Sequence, residues 1–223
     1  GISLIRAAAK NYKDVVIVAS KDQYKPLLDM INEHGATSTI EERRWFAKEA
    51  FGVSSYYDTH IFNYFDGEEH TAFRSAFNDQ KMLRYGENPH QKGYFFGDLD
   101  AIFDQIHGKE ISYNNLTDIN AAIELIDEFE ETTFAVLKHN NACGIASRPT
   151  VLDAWKDALA GDPVSAYGGV LITNAPIDKE AAEEIGKIFF EVIIAPDYDV
   201  DALDILTQKK NRIILVRKDA KFP

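Results

Sequence analysis

Four short apolar runs, at residues 134–138, 170–173, 192–195 and 213–216, alternate with stretches patterned for amphipathic helices at 151–160, 179–187 and 202–209. No other feature restricts the chain as much. Short apolar strands separated by helices are buried most simply when a sheet carries helices against it. The pattern predicts an α/β fold, a layered sheet with helices on both faces. A further helix is expected at 118–129, preceded by strand-like runs at 82–85 and 94–96.

The first third of the chain has a different rhythm. Residues 1–11 read as the end of a helix, and 15–19 as a short buried strand. Asp22 is placed to cap a helix reaching His34, and Gly35 suits the left-handed position that follows a helix. Thr39-Ile-Glu-Glu42 has capping-box spacing and opens a long amphipathic stretch toward Tyr64, with a break or kink expected at Gly52. The polar run Asp66-Gly-Glu-Glu-His70 is the expected domain boundary, dividing the chain into 1–66 and 67–223. The sequence opens inside a helix without an initiator Met and stops just after a strand, so a fragment of a longer polypeptide is expected.

With 45% hydrophobic against 27% charged residues, the chain can bury a sizeable core. No apolar run approaches the ~20 residues that span a bilayer. The single cysteine, Cys143, excludes an intramolecular disulfide and fits a reducing, cytoplasmic setting. A formal charge of −12 argues against nonspecific nucleic-acid or anionic-membrane binding. An anionic ligand would have to be held by a few locally placed cations.

Four polar clusters could carry chemistry. Arg84-Tyr85-Gly86-Glu87-Asn88-Pro89-His90-Gln91 gathers a guanidinium fork and amides around turn-forming Gly and Pro, which fits phosphate or carboxylate recognition as well as an ordinary polar hairpin. Ser112-Tyr113-Asn114-Asn115-Leu116-Thr117-Asp118 could read a ligand or simply cap a helix. Lys138-His139-Asn140-Asn141-Ala142-Cys143-Gly144 follows a strand. Adjacent strand residues face apart, so Lys138 and His139 serve one site only if the backbone turns there. Histidine suits proton transfer near neutrality; Cys143 reads as a small packing residue before a nucleophile. Gly161-Asp162-Pro163-Val164-Ser165-Ala166-Tyr167-Gly168-Gly169 is a turn whose paired glycines permit close backbone approach to a ligand. The six histidines show no metal-ligand spacing, and no metal site is expected.

In this order the clusters resemble the family of bifunctional enzymes that join AICAR formyltransferase to IMP cyclohydrolase. The segment Leu83-Arg-Tyr-Gly-Glu-Asn-Pro-His-Gln91 resembles that family's substrate-binding signature, Lys138–Gly144 its catalytic Lys-His loop, and Gly161–Gly169 a third binding loop. The opening Ile5-Arg-Ala-Ala-Ala-Lys-Asn11 resembles the end of its cyclohydrolase domain. The resemblance implies a methylglyoxal-synthase-like tail over 1–66, followed by the first half of a cytidine-deaminase-like formyltransferase domain. It implies that His139 is a general base and Lys138 a cation that assists formyl transfer from 10-formyltetrahydrofolate, the co-substrate, to AICAR. By the same resemblance Arg84 and Tyr85 would hold the nucleotide, Asn115 and Asp162 line the pocket, and Gly86, Asn88 and His90 shape the turn. Lys10 would remain from the cyclohydrolase site, and the enzyme would be a homodimer. A catalytically inert module that binds nucleotide or self-associates is the alternative.

Overall fold

The computed structural model describes residues 1–218 and divides into two compact units, Gly1–Asp79 and Gln80–Pro223. The structural division thus falls 13 residues beyond the expected 66/67 boundary. Segment 67–79 has no regular element, and it is tied back onto the preceding helix. There the Asn63 side-chain amide donates to Arg74 O at 3.1 Å, and the Arg74 guanidinium lies 4.2 Å from the centre of the Phe62 ring.

The first unit holds helices α1 (Ile2–Lys10), α2 (Tyr24–His34) and α3 (Ile40–Asp66). Ala9 of α1 and Ala47 and Ala50 of α3 form a small shared core. The capping box at Thr39 is present: Glu42 N–H donates to Thr39 Oγ1 at 3.2 Å, and Thr39 N–H to Glu42 Oε2 at 2.6 Å. Three expectations fail here. Residues 15–19 are not a strand, because no strand pairs with them among the described residues of this unit. The turn before α2 is organised by Ser20 and Gln23 rather than Asp22, with Gln23 Oε1 accepting from Ala19 and Ser20 N–H. Helix α3 runs unbroken through Gly52, since its backbone hydrogen bonds do not need a side chain there.

The second unit begins with a hairpin, β1 (Gln80–Met82) and β2 (Tyr94–Phe96), separate from the main sheet. The remainder is β3 (Phe103–His107), α4 (Tyr113–Ile126), β4 (Thr133–Lys138), β5 (Asn141–Ser147), α5 (Val151–Gly161), β6 (Val170–Thr173), α6 (Lys179–Ile185), β7 (Val192–Ala195), α7 (Val200–Leu206) and β8 (Ile213–Arg217). The six-stranded sheet has order β3-β8-β7-β6-β4-β5, with β6, β7 and β8 parallel and the other neighbours antiparallel.

Alternation along the strands sorts the core into two layers. Phe134, Val136, Leu171, Ile193 and Ile214 pack against α5, α6 and α7, while Ala135, Leu137, Ile172, Ile194 and Leu215 pack against α4. The expected layered α/β sheet with helices on both faces is therefore what the residues build. Edge strands β3 and β5 were not foreseen, because neither is a continuous apolar run and neither is buried along its length. They are strands because β8 and β4 offer them a ladder. Helix α4 starts five residues before the expected Asp118, since Ser112 caps it. No helix among the described residues is long and apolar enough to cross a membrane.

Candidate active site

At one end of the sheet, β6, β7 and β8 begin while β3 and β4 finish. The residues that cap this end come from segments far apart in sequence: Lys138 closing β4, loop 162–169 before β6, Glu191 before β7, Arg212 before β8 and Lys109 after β3.

Strands β4 and β5 are joined by a two-residue turn. Lys138 pairs with Asn141 across the ladder, and between them His139 and Asn140 have φ of 53° and 62°. Two consecutive positive φ values mark the mirror-image turns whose twist matches a hairpin. The backbone thus reverses at His139, meeting the condition under which Lys138 and His139 can serve one site. Lys138 Nζ donates to Tyr167 O at 2.9 Å, tying β4 to the loop before β6. His139 is exposed; its carbonyl accepts from the Asn141 side-chain amide at 2.7 Å.

In that loop Asp162 folds its carboxylate onto its own turn, accepting from Val164 and Ser165 N–H at 3.2 and 2.9 Å. Hydrogen bonding from the Ser165 hydroxyl and amide lowers the Asp162 pKa below the ordinary carboxylate value. Cys143 is half-buried and packs against the α5 side of the core. Burial pushes its thiol pKa up, Asp162 adds to the effect, and Lys138 opposes it. At pH 7 the thiol is therefore protonated, so iodoacetamide should alkylate Cys143 more slowly than a cysteine in an unstructured peptide. Equal rates, followed by mass spectrometry, would contradict the packing role.

The Arg84–Gln91 segment forms a closed turn. Gly86 N–H donates to Gln91 O at 2.8 Å, and Asn88 N–H to Gln91 Oε1 at 2.8 Å. His90 is exposed at its tip. Asn114 Nδ2 donates to Glu87 O at 3.1 Å, docking the turn on the start of α4. Arg84 stacks over Tyr85 at 4.7 Å and donates to its hydroxyl at 3.0 Å. The Ser112 hydroxyl, then Arg84 and Lys109, hold the Tyr85 phenol below its usual pKa. Asn115 is engaged within α4: its Oδ1 accepts from the Ser112 N–H and hydroxyl at 3.2 and 2.9 Å, so the helix start uses the side chain expected to line a pocket. Lys10 belongs to the first unit, exposed at the last position of α1.

Sequence reasoning missed a pocket of about 350 Å³ at the same sheet end. Lys109, Lys209, Lys210 and Arg212 line it opposite a single carboxylate, Glu191, which pairs with Lys109. Arg212 is 5% exposed; it stacks on Phe190 at 4.0 Å and donates to Leu206 O at 3.1 Å, while its Nε has no partner among the described residues. Phe189, also on the rim, packs against Tyr167, the residue whose carbonyl holds Lys138. The pocket thus gathers four cations on a chain of net charge −12. Its only sequence signal was the run Lys209-Lys210-Asn211-Arg212. Among the described residues no group of three or more His, Cys, Asp or Glu is placed to hold a metal ion.

A family described as AICARFT/IMPCHase bienzyme matches residues 8–222. The chain is 80% identical over its whole length to a protein of Bacteroides thetaiotaomicron named bifunctional purine biosynthesis protein PurH, covering 44% of that protein. It is 44% identical to the protein of the same name from Rhodospirillum rubrum, with 97% of the chain and 43% of the relative aligned. The corresponding Thermoanaerobacter protein is 41% identical, with 98% of the chain and 45% of the relative aligned. The chain thus spans less than half the length of these relatives.

Proposed function

Because the chain belongs to the AICARFT/IMPCHase bienzyme family, we propose that its second unit carries part of a formyltransferase site of purine biosynthesis. The reaction moves a formyl group from 10-formyltetrahydrofolate to the 5-amino group of AICAR. That amine is a weak nucleophile because its lone pair is delocalised into the imidazole carboxamide. As its nitrogen attacks the formyl carbon it must lose a proton, which His139 accepts. Lys138 sets its ammonium against the negative charge that builds on the formyl oxygen. The bond from the formyl carbon to the folate nitrogen then breaks, and that nitrogen leaves with the bonding pair and takes up a proton, while the carbonyl re-forms.

The observation that carries this reading is the β4–β5 turn, which reverses the backbone at His139 and ties Lys138 to the loop before β6. Arg84, Tyr85 and the cationic pocket anchor the anionic nucleotide, with Lys210 and Arg212 facing its phosphate. Asp162 shapes the loop that carries Tyr167, and Asn115 orders the start of α4 beside the Arg84 turn. Residues 1–66 are the end of the cyclohydrolase domain with its linker, and Lys10 serves ring closure of the formylated product to IMP. The complete enzyme is a cytoplasmic homodimer.

Formyl transfer measured in the full-length polypeptide tests this reading. Arg84→Ala and Lys210→Ala should each raise the KM for AICAR about tenfold and change kcat little, the signature of lost ground-state binding. Unchanged KM in both variants would sink the anchoring roles. Binding of AICAR without any turnover by the full-length wild type would favour an inert nucleotide-binding module.

A further inference from the structure

We propose that Asp118 is a positioning residue for the proton-accepting turn, acting on His139 through the backbone amide of Asn140. The proposal rests on the formyltransferase reading and deepens it. His139 and Asn140 are both non-glycine residues in the left-handed region, at φ 53° and 62°. Such backbone is disfavoured and persists only where its surroundings over-determine it. Two of the restraints are local, the Lys138–Asn141 ladder pair and the Asn141 side-chain amide on His139 O. The third comes from another element, because Asn140 N–H donates to Asp118 Oδ1 at 2.7 Å.

That bond differs from the others in two respects. Its acceptor is a carboxylate, and charge-assisted hydrogen bonds are shorter and stronger than neutral ones. Asp118 also sits beside Ile119, which is 1% exposed and fixes α4 against the sheet together with Ala122 and Ile123. The turn is thereby referenced to a helix packed on the sheet rather than to its own partly exposed edge strand β5. The same helix start receives the Arg84–Gln91 turn, through Asn114 Nδ2 on Glu87 O. One element therefore sets both the base-bearing turn and the nucleotide-anchoring turn, and loss of the Asp118 bond releases only the first.

The test is steady-state formyl transfer by the full-length polypeptide. Asp118→Ala should lower kcat about tenfold, the scale of a modest misplacement of a reacting group, with the KM for AICAR within twofold of wild type and the melting temperature nearly unchanged. Asp118→Asn, which keeps an oxygen acceptor at the same reach, should recover most of kcat. Asp118→Ser, too short to reach Asn140, is the second disruptive variant should Asp118→Ala prove insoluble. Wild-type kcat in the disruptive variants overturns the proposal, as does a joint fall of kcat, binding and melting temperature, which marks a merely structural role. His139→Ala in the same assay separates the two levels. A fall there with full activity in the Asp118 variants overturns the positioning role alone, whereas full activity of His139→Ala overturns the base assignment itself.

Discussion

His139→Ala in the full-length polypeptide should lower kcat for formyl transfer by about 10²-fold or more, the scale of a general base, while AICAR binding stays close to wild type. Lys138→Ala should also act on kcat, since a cation set against developing charge contributes mainly in the transition state. The turn makes this pairing possible. In a continuing strand the two side chains would face apart, and one substitution would be nearly silent. With φ positive at 139 and 140, the reversal falls immediately after Lys138, whose Nζ is held on Tyr167 O. Single-turnover kinetics isolates the chemical step from product release. A His139→Ala enzyme with wild-type kcat would end the general-base assignment.

Gly144→Ala should be among the most damaging single-methyl additions in the chain. A Cβ built at Gly144 lies 1.9 Å from Ala158 O and 2.9 Å from Ala158 C, both backbone atoms of α5. A flexible side chain could move aside; a helix carbonyl cannot without shifting α5. Ala158 and its neighbours Ala154 and Trp155 are buried, so that shift would propagate into the core. Overpacking of this kind costs about 3 kcal/mol or more, a fall of several degrees in melting temperature for a protein of this size. Gly52→Ala is the matching control. Its Cβ meets nothing within 4 Å and lies inside α3, so the change should be stabilising by about 0.5–1 kcal/mol. Equal melting temperatures for Gly144→Ala and the wild type would refute the contact.

Gly144 also marks where sequence reasoning reached its limit. It was legible as the end of an Asn-rich turn and as part of a family motif. Its steric reason, a helix carbonyl from Ala158, depends on α5 crossing β5. The same division runs through the fold. Strands β4, β6, β7 and β8 were legible because each is an apolar run buried on both faces, and the cap at Thr39 because the bond it makes spans three residues. Strands β3 and β5 were not, because a partly exposed edge strand carries no continuous apolar run and takes its conformation from its neighbour's ladder.

For the candidate site, the sequence by itself determined the chemical types, namely a Lys-His pair at a strand end and an Arg-Tyr pair in a Gly-Pro turn, and through the family resemblance the reaction they fit. The tertiary structure alone decided which distant groups join them. Asp118 reaches the turn across 22 residues, Lys109 meets Glu191 across 82, and the His107 ring meets Arg212 O across 105. Local hydrogen bonds and side-chain periodicity are set within a few residues and can be read along the chain. A pocket that concentrates positive charge on a protein of net charge −12 arises only when the sheet brings the ends of β3, β7 and β8 side by side.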